Sequence, residues 1–195
     1  MAKSESDSKR EQKKAARWAV TIFLVTILVS ATISFLSNEI MSRTGIAVAF
    51  VILLIIVVVG ILFDIVGVAV TSADEKPFHS MASRRVAGAR EAIMLLRNAE
   101  KVSSICNDVI GDICGVVSGA ASATIAARVL TYMTFSWPQL VTLAMSALVA
   151  GLTVGGKAVG KTIAMQSCTE IVFLVGRILA AFGRCKDLLH KKKGG

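Results

Sequence analysis

The sequence predicts an all-α integral membrane protein with four transmembrane helices and amphipathic juxtamembrane helices on the cytosolic side. Of its 195 residues, 54% are hydrophobic and only 18% are charged, whereas about a quarter of the residues in soluble domains are charged. The apolar residues are also clustered in uncharged runs, among them 18–36 and 46–63. Each of these runs is long enough to cross a hydrocarbon core of about 30 Å. One membrane domain over 18–166 therefore accounts for most of the chain.

Four segments have the length and composition of transmembrane helices. The first begins at Trp18, a residue type that is enriched at membrane–water interfaces. It is longer than the apolar core of a signal peptide and no small-x-small cleavage pattern follows it, so we expect a retained helix. The fourth begins with Pro138, which the first turn of a helix tolerates. The predicted transmembrane helices are 18–36, 46–70, 105–127 and 138–154.

Polar segments flank these helices. In 77–104 apolar residues recur every three to five positions between arginines, which predicts amphipathic juxtamembrane helices lying on the inner membrane surface. A further amphipathic helix is predicted over 167–189, in a C-terminal segment 167–195 that ends in a basic tail. Residues 1–17 are polar and rich in Lys and Ser, and we expect them to form a basic cytosolic tail.

The positive charges are distributed unevenly among the connections. All but two of the 22 lysines and arginines lie before the first predicted helix, between the second and third, or after the fourth, and the exceptions are Arg43 and Arg128. The positive-inside rule then places both termini in the cytosol and predicts a multi-pass protein of the plasma (inner) membrane. Topology and the anionic headgroups of the lipid bilayer account for the net charge of +9, so no nucleic-acid partner is expected.

Three carboxylates and one asparagine lie inside the predicted membrane helices. Asp64 is in the last turns of the second helix, and Asn107, Asp108 and Asp112 are in the first turns of the third. Charges are costly in lipid and indicate a functional site by default. Asp108 and Asp112 are four positions apart, so an α-helix would place them on one face.

Small residues continue that face of the third predicted helix. Gly111, Gly115 and Gly119 form a doubled GxxxG pattern, which allows another helix to approach closely. Because the acidic residues and the glycines share a face, we expect the carboxylates to point into protein rather than into lipid.

Two interpretations of these polar side chains follow from the residues alone. Carboxylates with an amide suit a hard divalent cation such as Mg²⁺, which prefers oxygen ligands and keeps several of its waters. The metal ligands would then be Asp64, Asn107, Asp108 and Asp112. Alternatively, the acids pair with Lys157, Lys161 or Arg97 in a structural charge network. Both interpretations stay open at this point.

One short stretch matches a nucleotide-binding pattern. Residues 155–162, "GGKAVGKT", fit G-x-x-x-x-G-K-[ST], but a phosphate-binding loop needs a preceding strand and a following helix. The preceding segment is rich in Ala, Leu and Met and has helical length. No nucleotide cofactor and no enzymatic activity are therefore expected, and the glycines are predicted to break the fourth helix at its cytosolic end.

Three stretches, taken in order, resemble one membrane-protein family. They are 62–105, with "GAREAIMLLRNAEKVSS"; 107–119, "NDVIGDICGVVSG"; and 155–182, "GGKAVGKTIAMQSCTEIVFLVGRILAAF". Together they are similar to the transmembrane domain of the CorC/cyclin M (CNNM) family, the CorB-like magnesium and cobalt transporters, over roughly 46–183. The resemblance implies a homodimer of three-helix units that holds a partly dehydrated Mg²⁺ among its helices and exports it against sodium.

The chain departs from the family pattern at several points. The first helix is additional, and the nucleotide-binding CBS pair that commonly follows the family's membrane domain is not expected. The family's Ser-Gly-Ser-Glu motif aligns with 64–67, and its cation-site Glu aligns with Lys157. The resemblance implies a protein of divalent cation transport or homeostasis, with its ion site between the second, third and fourth helices. The departures leave a second case as the alternative, a non-transporting membrane scaffold or regulator. In the second case, Lys157 paired with Asp108 or Asp112 replaces the ion.

Overall fold

A computed structural model describes residues 2–132 and 137–191. These described residues form helices joined by short connections, and none of them is in a β-strand. In chain order the helices are α1 (Ala2–Arg43), α2 (Ile46–Ser72), α3 (Lys76–Ser83), α4 (Ala89–Arg97), α5 (Ala99–Ser104), a π-helical segment (Ile105–Gly111), α6 (Asp112–Tyr132), α7 (Pro138–Gln166) and α8 (Cys168–Lys191).

Four helical segments among the described residues are long and apolar enough to cross a membrane. This confirms the predicted all-helical class, and the four candidate spans support the expectation of a multi-pass membrane protein. The four segments are Ala16–Ser37, Ile46–Ser72, Ala99–Tyr132 and Pro138–Gln166.

The first and third helices are longer than predicted. The helix expected to start at Trp18 begins at Ala2, so residues predicted as a basic tail belong to the start of α1. The third span begins at Ala99 because α5, the π-helical segment and α6 follow one another without a break. The π-helical segment covers the predicted start of this helix, and such wide turns are frequently found at functional sites.

The predicted helix break at residues 155–162 is wrong, because α7 continues through them to Gln166. The physical reason is packing against α2. A Cβ atom at Gly160 would lie 2.8 Å from Ile65 Cγ1, and a Cβ atom at Gly156 would overlap Ile61 Cδ1. A glycine inside a helix costs about 1 kcal/mol relative to alanine. Here that cost is offset by the close approach of two helices, which small residues four positions apart allow.

Helix α2 is the central element of the fold. It packs against α5, the π-helical segment, α6, α7 and α8. At one end, Ala49, Leu53 and Val57 contribute to a buried cluster with residues of α6 and α7. Near the other end, Ala69 and Val70 join a second buried cluster with residues of α3, α4, α7 and α8. Asp64 therefore lies on α2 between two apolar clusters.

The predicted amphipathic segments form separate short and long helices. Segment 77–104 comprises α4, α5 and most of α3, and the helix predicted over 167–189 is α8. Helices α4 and α8 approach closely where Gly88 adopts a left-handed conformation with φ 94°. A Cβ atom at Gly88 would lie 2.7 Å from the backbone nitrogen of Arg177. A side chain is therefore disfavoured at Gly88 by both conformation and space.

Candidate functional site

The ammonium group of Lys157 lies between two carboxylates contributed by two other helices. Its Nζ atom is 3.8 Å from Oδ1 of Asp64 on α2 and 3.9 Å from Oδ1 of Asp112 at the start of α6. Exposure is 25% for the Lys157 side chain, 16% for Asp64 and 71% for Asp112. We call these three residues the Lys157 cluster. It joins α2, α6 and α7, the three helices that form the first buried apolar cluster.

Gly111 provides the space in which the Lys157 cluster forms. A Cβ atom at this position would lie 3.3 Å from Lys157 Nζ and 3.8 Å from Asp64 Oδ1. Gly111 is buried, so a larger residue there would push against the ammonium group. The predicted role of Gly111 in close helix packing therefore extends to seating a charged side chain.

The electrostatics of the cluster are those of a loose ion triplet. Direct hydrogen bonds between an ammonium and a carboxylate are about 2.7–2.9 Å long, and both separations here are longer. Attraction still acts at these distances because the cluster is partly shielded from water. Two carboxylates and one ammonium leave one excess negative charge, and the more exposed Asp112 is its most accessible member.

Asn107 lies one helical turn away, against another part of α2. Its side chain faces Gly67, where an added Cβ atom would overlap the amide oxygen. The amide nitrogen donates a hydrogen bond to Ser103 Oγ at 3.2 Å. The amide oxygen Oδ1 is buried and has no hydrogen-bond partner among the described residues. Leaving such an acceptor unsatisfied costs about 1–3 kcal/mol.

Asp108 lies in a different environment from Asp112. Its Oδ2 atom accepts a hydrogen bond from Ser104 Oγ at 2.8 Å, and the residue lines two cavities that α1 also lines at Trp18. The wide turns of the π-helical segment explain the separation, since they rotate the residues around Asp108 relative to an α-helical spacing. The sequence-based expectation of one shared face assumed a regular α-helix.

The structure thus divides the predicted ligand set. Asp64 and Asp112 come together around Lys157, while Asn107 and Asp108 lie elsewhere on the π-helical segment. Across residues 2–132 and 137–191, no group of three or more His, Cys, Asp or Glu side chains could hold a metal ion. The described residues form a cluster of two carboxylates around one ammonium group. They do not form a set of oxygen ligands around a metal site.

Of the three glycines in the doubled GxxxG pattern, only Gly111 lies close to side chains of other helices. Around Gly115 and Gly119, the space that a Cβ atom would take is open. Helix α7 approaches α2 closely at Gly156 and Gly160, which are themselves spaced as GxxxG. Sequence reasoning missed this pair because both glycines lie within the apparent nucleotide-binding motif.

That motif lies within α7, and residues 138–154 immediately before it are helical. Lys161 is exposed and lies one turn from Lys157. Helical backbone through residues 155–162 cannot form the loop of backbone N–H groups that cradles phosphates. The motif contributes the ammonium of Lys157 and the packing glycines.

Comparisons with known proteins give no relative for this chain: no family model, no curated protein and no solved structure matches it. The resemblance to the CorC/CNNM transmembrane domain therefore stays a prediction from the sequence.

Proposed function

We propose that this chain is a non-transporting membrane scaffold or regulator in which Lys157 serves as a built-in cation. The observation that supports this proposal is the position of Lys157 Nζ within 4 Å of carboxylate oxygens of both Asp64 and Asp112. Intramembrane charges are typically paired with one another when they do not bind a substrate. Here the paired charges link three helices.

Charge balance disfavours a divalent cation beside the bound ammonium. The two carboxylates carry two negative charges, and Lys157 already neutralises one. A divalent cation added to this cluster would leave a net positive charge, and the ammonium would repel it at short range. The alignment of Lys157 with the cation-site Glu of the CorC/CNNM family is consistent with the proposal, because a cation then stands where that family has a cation ligand.

Magnesium flux into liposomes tests this function. Purified wild type, Lys157→Met and the control Lys161→Met are reconstituted around a magnesium-sensitive dye. We expect no flux in any of the three, and a loss of thermal stability for Lys157→Met alone. Wild-type flux that disappears in Asp64→Asn or Asp112→Asn would contradict the proposal.

Transport of a divalent cation, magnesium or cobalt, is a second candidate function. The specific observation in its favour is the buried, unpartnered Oδ1 atom of Asn107. An amide oxygen is the kind of ligand that Mg²⁺ accepts. The Asn107 oxygen lies against Gly67, which is one turn from Asp64 along α2. This candidate requires the Lys157 ammonium to leave the carboxylates. Flux in wild type that is lost in Asn107→Ala and retained in the exposed-site control Asn98→Ala would support it.

A homodimer belongs to the proposal as well. Gly115 and Gly119 leave open space on α6 within the described chain, and such a surface allows close approach of a helix from a second copy. Chemical crosslinking in native membranes tests this. We expect a dimer band in wild type that weakens in Gly119→Leu and persists in the matched control Gly155→Leu, where the added side chain also meets open space within one chain.

The proposed orientation has both termini in the cytosol and the protein in the plasma (inner) membrane. It is supported by the concentration of Lys and Arg in alternate connections. Reporter fusions at each terminus and in the connection at Gly45 test it. Cytosolic signals are expected at both termini and a non-cytosolic signal at Gly45; the reverse pattern would overturn the orientation.

A further inference from the structure

A long groove separates α1 from α5 and from the π-helical segment that carries Asp108. It consists of two adjoining cavities of about 800 Å³ and about 710 Å³. Both cavities are lined by Trp18, Ser104 and Asp108. We call this space the α1 groove. It contains none of the Lys157 cluster, so it is independent of the function proposed above.

The lining of the α1 groove changes from polar to apolar along its length. One end is lined by Thr71, Glu100, Lys101 and Ser103. The other end follows α1 through residues that include Phe23, Ile27 and Ala31. The distance from Trp18 to Ala31 is about 20 Å at 1.5 Å per residue, which exceeds half of a hydrocarbon core of about 30 Å. The groove therefore matches the length and polarity of one lipid molecule in one leaflet.

The polar end carries more negative than positive charge. Asp108 accepts one hydrogen bond, from Ser104, and the described residues place no cationic side chain within ion-pair distance of it. Glu100 adds a second carboxylate and Lys101 a single ammonium. A carboxylate in a membrane-crossing helix without its own counter-ion is costly. The charge balance favours a ligand that brings a cationic group to Asp108 and an anionic group to Lys101.

We propose that the α1 groove binds a phospholipid whose headgroup carries a protonated primary amine. The amine donates hydrogen bonds to Asp108, the phosphate lies near Lys101, and an acyl chain runs along α1 past Ile27 to Ala31. Trp18 lies at the level where its amphipathic ring is favoured, between headgroup and acyl chain.

Other lipid headgroups fit these charges less well. An anionic headgroup without an amine would meet two carboxylates and only one lysine. A quaternary ammonium has no N–H group, so it cannot make the charge-assisted hydrogen bonds that a carboxylate accepts most strongly. Selectivity for a primary amine is therefore the feature that distinguishes this site from a non-specific lipid coat.

Native mass spectrometry of the detergent-purified full chain tests the proposal. Phosphatidylethanolamine, phosphatidylcholine and phosphatidylglycerol with identical acyl chains are titrated separately. We expect phosphatidylethanolamine to bind about tenfold more tightly than the other two, roughly the effect of one charge-assisted hydrogen bond. Asp108→Asn should remove this preference, and Ala31→Trp should weaken binding of all three lipids by filling the apolar end.

Asp74→Asn is the matched control, since it removes one carboxylate outside the groove, and it should keep the wild-type preference. Equal binding of the three lipids to wild type would overturn the proposal. So would an undiminished preference in Asp108→Asn or undiminished binding in Ala31→Trp. Thermal unfolding of each variant checks folding, and headgroup selectivity of the wild type decides the matter if a variant fails to fold. The proposal would also be overturned if a second copy of the chain occupied the groove. That outcome would appear as crosslinking between two copies at Phe23 together with loss of lipid binding.

Discussion

Two carboxylates four positions apart in the sequence, Asp108 and Asp112, lie in different electrostatic environments in this fold. Asp112 lies against the ammonium of Lys157, which it shares with Asp64. Asp108 faces the α1 groove and has only the hydroxyl of Ser104 as a partner among the described residues. The difference indicates that the role of a carboxylate in a membrane helix depends on whether the protein supplies its counter-ion. The Lys157 cluster supplies its own cation, while the α1 groove leaves that place to a ligand.

The comparison predicts that the Lys157 cluster contributes to stability and that the α1 groove determines ligand binding. Substitutions in the Lys157 cluster should mainly change the free energy of unfolding, because its charges bind one another and three helices together. Substitutions in the α1 groove should mainly change what the protein binds.

The largest effect is expected for Lys157→Met. The change leaves Asp64 and Asp112 without their shared cation, and breaking a fully buried ion pair by removing one partner costs about 3–5 kcal/mol. The partial exposure of the cluster reduces our expectation to about 2–4 kcal/mol. Thermal or denaturant unfolding in detergent measures it.

Lys161→Met is the control for this prediction, since it removes the same group from an exposed position on the same helix. Its stability should stay within about 0.5 kcal/mol of wild type, as for most surface changes. Equal losses in the two variants would show that Lys157 is not structural. The double change Lys157→Met with Asp64→Asn should cost less than the sum of the single changes.

The next largest effect is expected at the α2–α7 contact, which positions Lys157 relative to Asp64. Gly160→Val places atoms against Ile65, where even a Cβ atom would lie 2.8 Å from Cγ1. Overpacking of this kind costs about 1–3 kcal/mol. Gly155→Val is the matched control, because its side chain meets open space. Equal unfolding midpoints for the two variants would contradict the packing seen here.

The sequence was sufficient to predict the helical class and the four candidate membrane spans, since length and hydropathy determine both. It also predicted that Lys157 pairs with acids near α6, as one of two interpretations. The alternatives could not be separated from the sequence because each depended on which side of a helix Asn107, Asp108 and Asp112 face.

Two features explain what the sequence left open. The π-helical segment changes the angular spacing between Asp108 and Asp112, and no residue pattern in 105–111 indicates a π-helix. The glycines at 156 and 160 can break a helix or pack one, and only the large side chains of Ile61 and Ile65 on α2 decide between these outcomes. At the two glycines, tertiary contacts thus overrode local propensity.

A smaller effect is expected when the two carboxylates of the Lys157 cluster are compared. Asp64→Asn and Asp112→Asn remove the same charge, but the Asp64 side chain is 16% exposed and that of Asp112 is 71% exposed. Exposed ion pairs contribute about 0–1 kcal/mol, so Asp112→Asn should cost less than about 0.5 kcal/mol. Asp64→Asn should cost about 1 kcal/mol more. The reverse order in unfolding experiments would show that burial does not set the strength of this cluster.

Asp108→Asn should change stability as little as Asp112→Asn, and lipid binding distinguishes the two variants. The residue is exposed and loses only one charged acceptor for the hydroxyl of Ser104, so the free energy of unfolding in lipid-free detergent should change by less than about 0.5 kcal/mol. Added phosphatidylethanolamine should raise the melting temperature of the wild type, because a ligand that binds only the folded state stabilises it. The same lipid should raise that of Asp108→Asn much less. A large loss of stability without lipid would place Asp108 in the structural network, and the contrast between the α1 groove and the Lys157 cluster would then disappear.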